Sequence, residues 1–141
     1  MNTDFLITKI ENVIFVDKSQ YPEKVTSFRH DLSNCELIYH LSGKMRISFN
    51  GKTEMCDENT LRFLPKGENR GYTVSRTENG DCVDIFFDTD KRISEEMFTL
   101  KLNDRTAVAP IFKKIFSLWV AKRDGYYFEC ISLLYKIFAM L

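Results

Sequence analysis

Residues 36–56 read ELIYHLSGKMRISFNGKTEMC, and this stretch decides the fold. Asn50-Gly51 stands between two short β-favouring runs, 45–49 and 52–56. Asn-Gly supplies the two positive-φ residues of a tight hairpin turn, so the spacing predicts a hairpin. Just upstream, Glu36, Ile38 and His40 alternate with Leu37, Tyr39 and Leu41. A strand over 36–41 places the first three on one face. Working outward, Asn79-Gly80 lies between 72–77 and 82–88 and predicts a second hairpin. Further strands are expected at 5–10, 13–16, 26–30 and 60–64, with Pro65-Lys66-Gly67 breaking the chain after the last. Many short strands with frequent turn signals indicate a sandwich or barrel.

Beyond residue 90 the pattern changes. Residues 91–104 read as a polar connector. After it the apolar period shifts from two to about 3.6. Val108, Ile111, Phe112, Ile115, Phe116 and Trp119 form one stripe, with Pro110 near the expected helix start. Asp124-Gly125 ends that helix, and Tyr127, Cys130, Ile131, Leu134, Ile137, Phe138 and Leu141 make a second stripe. The expected plan is mostly β with C-terminal helices: a barrel over 1–90, a connector over 91–104 and an antiparallel helical hairpin over 105–141. The hairpin carries more apolar surface than one barrel face needs. One helix is therefore expected on the barrel, while part of the set Ile115, Phe116, Trp119, Leu134, Ile137 and Phe138 buries against a second copy in a twofold dimer. The alternative is that both stripes pack within the protomer. The apolar pattern runs unbroken into Leu141, so the chain is expected to continue into a further domain.

Composition narrows the function. The chain has 141 residues, 44% hydrophobic and 13% aromatic, which excludes disorder as its main state. Twenty basic and twenty acidic residues argue against a free-standing nucleic-acid binder, whose affinity rests on excess Lys and Arg. No apolar run approaches the ~18–20 residues of a membrane span, and the N-terminus has no secretory pattern. A cytoplasmic protein is expected, with no membrane partner. Cys35, Cys56, Cys82 and Cys130 contain no CxxC pair, which excludes a zinc knuckle and leaves buried thiols as the expectation. Asp84, Asp88 and Asp90 read as a solvated strand end followed by a turn.

The stretch from His30 to Gly43, with that from Asn59 to Val74, resembles the two motifs of the cupin superfamily. Glu36 stands seven residues before Gly43, as the metal-binding Glu of that first motif does, and His30 fits the first His. The other two ligand positions fall on Leu32 and Arg70, one without a lone pair and one a cation, so no bound metal is expected. A more specific resemblance, over nearly the whole chain, is to the N-terminal domain of AraC-type transcription regulators. It rests on residues 36–44, on Leu61-Arg62-Phe63-Leu64-Pro65-Lys66-Gly67-Glu68, on residues 80–88 and on the segment from Tyr126 to Leu141. The resemblance implies a cupin-like double-stranded β-helix, or jelly-roll, barrel that senses a small molecule. It also implies helices that dimerise, and DNA binding carried by a separate C-terminal helix-turn-helix domain that this chain lacks.

On that alignment the face of Glu36, Ile38 and His40 points into the barrel. His30, Glu36, Ile38, His40, Arg70 and Tyr72 are then the expected lining of a polar pocket for an effector, a sugar or an organic acid. An internal Glu36–Arg70 salt bridge is the equally weighted alternative for that pair. No catalytic residue and no cofactor is indicated. A stand-alone cupin enzyme or a carbohydrate-binding module is the alternative function.

Overall fold

The structure, a computed structural model, describes residues 1–17, 25–103 and 105–141, without the side chains of 25–31, 68–70, 105 and 106. Nine strands precede two helices. They are β1 (Ile7–Val16), β2 (Val25–Leu32), β3 (Cys35–His40), β4 (Lys44–Phe49), β5 (Lys52–Cys56), β6 (Thr60–Leu64), β7 (Gly67–Glu78), β8 (Cys82–Thr89) and β9 (Phe98–Lys101), then α1 (Arg105–Ala121) and α2 (Tyr126–Ala139). Two antiparallel sheets result, one ordered β1-β8-β3-β6-β9 and the other β2-β7-β4-β5. Together they form a jelly roll, followed by the helical hairpin.

The β4–β5 hairpin forms as its sequence requires. Asn50 and Gly51 take φ of 48° and 72°, and Phe49 pairs with Lys52. The second Asn-Gly pair works differently, which corrects the expected hairpin. β7 belongs to one sheet and β8 to the other, so Asn79-Gly80 carries the chain across the barrel rather than around a hairpin. Gly80 is there for space. A Cβ on it would lie 2.0 Å from the Ser42 carbonyl oxygen. The two crossings, at Ser42-Gly43 and Gly80-Asp81, are tied together by the Leu41 N–H donating to the Asp81 carbonyl at 2.9 Å.

Two expected N-terminal strands are one. β1 pairs with β8 along its length, but its register slips between Ile7 and Lys9 and between Ile10 and Asn12. Each irregularity adds a residue, so Ile7, Ile10, Val13 and Val16 are buried at a spacing of three rather than two. The connector contains β9, which pairs with β6.

The main core lies between the five-stranded sheet and the helices. Leu37 and Tyr39 of β3, Leu61 and Phe63 of β6 and Val83, Ile85 and Phe87 of β8 meet Phe112, Ile115, Cys130, Leu134 and Ile137. The Tyr39 and Phe112 rings stack at 5.0 Å, and the Tyr39 hydroxyl donates to Asn59 Oδ1 at 2.7 Å. α2 also covers the outer edge of β1. The Ile7 N–H donates to the Tyr135 hydroxyl at 2.7 Å, and the Ile10 N–H to the Tyr127 hydroxyl at 3.2 Å. An uncovered edge strand would offer those groups to another chain.

This packing corrects three of the expected dimer residues. Ile115, Leu134 and Ile137 are wholly buried within the protomer. Phe116 packs against Phe15, Phe138 against Phe5 and Phe87, and the Trp119 indole N–H donates to Asn12 Oδ1 at 3.2 Å. Both helices help to cover the sheet, and Phe116, Trp119 and Phe138 stay partly exposed. Pro110 lies inside α1, a turn beyond its start.

Candidate ligand cavity

Strands with both faces buried create the site. In β3, Leu37 and Tyr39 face the helices, while Glu36, Ile38 and His40 face the barrel interior. The period of two repeats in β6, which turns Arg62 inward, and in β8, which turns Cys82, Asp84 and Phe86 inward. The register aligns them: Ile38 pairs with Arg62 on one side and Asp84 on the other. Tyr72, Val74 and Arg76 of β7 and Met45 of β4 close the opposite side, with Ile14 and Val16 of β1 at one margin. The cavity holds about 360 Å³.

The lining is apolar in bulk with a few charged groups, the usual make-up of a small-molecule site. Arg62 is 7% exposed, and its guanidinium carbon lies 5.1 Å from the centre of the Tyr72 ring. That cation–π contact satisfies the charge in part. Its Nε and Nη1 are buried with no hydrogen-bond partner among the described residues. Asp84 Oδ1 and His40 Nε2 are buried and unpartnered in the same way. Groups left like this cost free energy unless something else meets them.

Burial sets the protonation states. His40 is 2% exposed, and burial, reinforced by the Arg62 charge, lowers its pKa to about 3, so it is neutral at pH 7. Burial, together with the charge of Glu36, holds the Asp84 carboxyl well above the usual carboxylate range. Burial likewise raises the Cys82 thiol to about 12, an unreactive state.

The cavity thus brings together Glu36, Ile38, His40 and Tyr72. The side chains of His30 and Arg70 lie outside the described residues, and their backbones pair across β2 and β7. Three charged residues of the site, Arg62, Arg76 and Asp84, escaped the sequence reading. Arg62 sits between Leu61 and Phe63, and that polar break in an apolar strand was its signal. Asp84 is corrected from a solvated position to a buried one: the helices cover one face of β8 and the barrel encloses the other. The lining does not suit a metal ion. Leu32 contributes hydrocarbon, Arg62 contributes positive charge, and no three metal-ligating side chains converge among the described residues.

A scan against protein-family models and a search of curated protein sequences found no match. Solved structures do resemble this one. ToxT from Vibrio cholerae strain SCE256 with an unsaturated fatty acid bound superposes with a TM-score of 0.58 at 9% identity, over 97% of this chain and 53% of that one. ToxT from Vibrio cholerae O395 bound to (E)-4-(8-methylnaphthalen-1-yl)but-3-enoic acid gives 0.54 at 10% identity, over 95% and 53%. The EutQ protein of Clostridium difficile gives 0.38 at 19% identity, over 56% of each chain. This chain therefore spans about half the length of the ToxT chains and shares the fold of that part of them.

Proposed function

We propose that this domain is the small-molecule-sensing part of an AraC-type regulator and that its effector binds in the barrel cavity. The observation that carries the reading is Arg62, a buried guanidinium at a cavity of about 360 Å³ with two nitrogens unpartnered among the described residues. Such a group calls for an acceptor, and an organic acid brings one in charged form. The apolar walls from Ile14, Ile38, Met45, Val74 and Phe86 suit a hydrocarbon body. ToxT, similar in fold, has been solved with two carboxylic acids, which supports this ligand class. A hydroxylated ligand such as a sugar is the competing class, since Asp84 and His40 also present unmet polar atoms.

In this reading an effector acts by linkage, stabilising one arrangement of barrel and helices through its differential affinity. The domain pairs with a second copy, and DNA contact belongs to a separate helix-turn-helix domain. The dimer contact then uses hairpin residues that the barrel leaves outside, such as Val120 and Phe128, instead of the buried stripe. Calorimetric titration with a panel of monocarboxylates and sugars, on wild type and Arg62→Met, tests the ligand reading. Binding of an acid by wild type and its loss in the variant is the expected result. Binding of neither class overturns the reading.

A further inference from the structure

A second, smaller hollow lies beside the cavity within the same barrel. It holds about 80 Å³, and Phe49, Leu64, Pro65 and Met97 form its walls together with Leu32 and Tyr72. Phe49 shares the buried face of β4 with Met45 and Ile47, and Leu64 follows Arg62 on the inward face of β6. The hollow therefore continues the barrel interior toward the ends of those two strands. Its outer margin is at Asn50 and Gly71, both exposed. No charged side chain lines it among the described residues, so it suits hydrocarbon.

Leu32 and Tyr72 are the two residues common to both spaces. They make the partition, and the Tyr72 ring is the larger part of it. The ring packs against the cluster that contains Ile47 and Phe49 and against the one that contains Ile38 and Leu64. The Arg62 guanidinium carbon lies 5.1 Å from its centre. Arg62 lines the cavity but not the small hollow. The ring thus stands beside the group that anchors a carboxylate and walls that group off from the hollow. An acid held at Arg62 has its first carbons next to the ring. A straight chain runs on along the apolar walls of the cavity. A branch on the carbon that bears the carboxylate needs room at the ring, and the nearest room is the hollow behind it. That volume matches roughly three water-sized groups, the bulk of a short alkyl branch.

We propose that Tyr72 is a specificity-determining residue: by closing off the small hollow it confines the site to acids unbranched beside the carboxylate. This rests on the organic-acid reading above. Overfilling a packed apolar site is costly even for one methylene, and such pockets discriminate by about 10–200-fold.

The test compares octanoate with 2-propylpentanoate, an isomer of the same composition and charge, by calorimetric titration. Wild type is expected to favour octanoate by about tenfold or more. Tyr72→Ala should bring the two within about threefold or reverse their order, while Tyr72→Phe, which keeps the ring, should keep the preference. Leu32→Ala opens the other half of the partition and should also narrow the gap, which decides the matter if Tyr72→Ala does not fold. Tyr72→Ala/Met97→Phe refills the hollow from its far wall and should restore the preference for octanoate. Equal binding of the isomers by wild type overturns the proposal. So does an unchanged preference in Tyr72→Ala and Leu32→Ala, which leaves the acid reading standing. A narrowed gap that persists in Tyr72→Ala/Met97→Phe overturns the hollow as the place of the branch. Binding of neither acid by wild type or any variant overturns the acid reading itself, and this proposal with it.

Discussion

Replacing Arg62 with Met separates a binding group from a structural one. Arg62 is 7% exposed, and its Nε and Nη1 are buried with no partner among the described residues. Each unsatisfied buried group costs about 1–3 kcal/mol, so removing both relieves roughly 2–6 kcal/mol. Against that stands the contact with the Tyr72 ring, 5.1 Å away, worth about 0.5–2 kcal/mol. Loss of the cation facing Glu36 and Asp84 removes a further part. Met also fills much of the vacated space with apolar surface. The net is about 1–3 kcal/mol of stabilisation, in line with replacement of buried charges by hydrophobic side chains. For a domain of this size that raises Tm by roughly 3–10 °C, read by scanning calorimetry without ligand at pH 7. The same change should weaken binding of an organic acid by about 30-fold to several thousand-fold, since losing one partner of a buried charge pair costs about 2–5 kcal/mol. Higher stability with lost binding is the signature of a group kept for function. A Tm lowered by several degrees, or unchanged acid affinity, refutes the reasoning, because Arg62 would then be partnered within the folded chain.

Three further perturbations follow from the geometry. His40 is lowered to about 3 when folded against 6.5 unfolded, so between these values the unfolded state binds more protons and stability falls as pH falls. His40→Gln should flatten that acid limb by up to about 1.4 kcal/mol per pH unit, measured by urea unfolding at stepped pH; an unchanged slope contradicts the buried neutral imidazole. Gly80→Ala places a Cβ 2.0 Å from the Ser42 carbonyl oxygen and should destabilise by more than about 2 kcal/mol. Gly51→Ala, which meets open space at φ 72°, should cost only about 1 kcal/mol. Phe128, 77% exposed, should be replaceable by Ser within about 0.5 kcal/mol of monomer stability, while light scattering reports whether the variant weakens self-association.

The contrast between the two Asn-Gly pairs shows what the sequence could and could not convey. Asn50-Gly51 needs positive φ, and short-range pattern suffices to find it. Gly80 is required by the approach of Ser42, 38 residues earlier in the chain, and nothing local records that contact. The inward face of β3 was legible because alternation is local and one motif fixed its direction. Asp84 and Arg62 were not, since a polar residue facing solvent and one sealed in a barrel produce the same alternation. Only the knowledge that helices cover the other face tells them apart. β1 read as two strands because its irregular register moves buried residues to every third position. The helical stripes are legible as apolar faces, but how they divide is not: the hairpin covers both a sheet face and the β1 edge, which takes up Ile115, Leu134 and Ile137 and leaves Phe116, Trp119 and Phe138 partly exposed.

The central claim is that the barrel cavity receives a small organic acid at Arg62. The most direct measurement is a crystal structure of the domain grown with the tightest-binding monocarboxylate from the panel. The account predicts the ligand inside the barrel, its carboxylate within hydrogen-bond reach of the Arg62 guanidinium and its hydrocarbon against Ile38, Val74 and Phe86. A ligand bound on the outside of the barrel, or a cavity closed over by its own side chains with Arg62 paired to another residue of the chain, contradicts it.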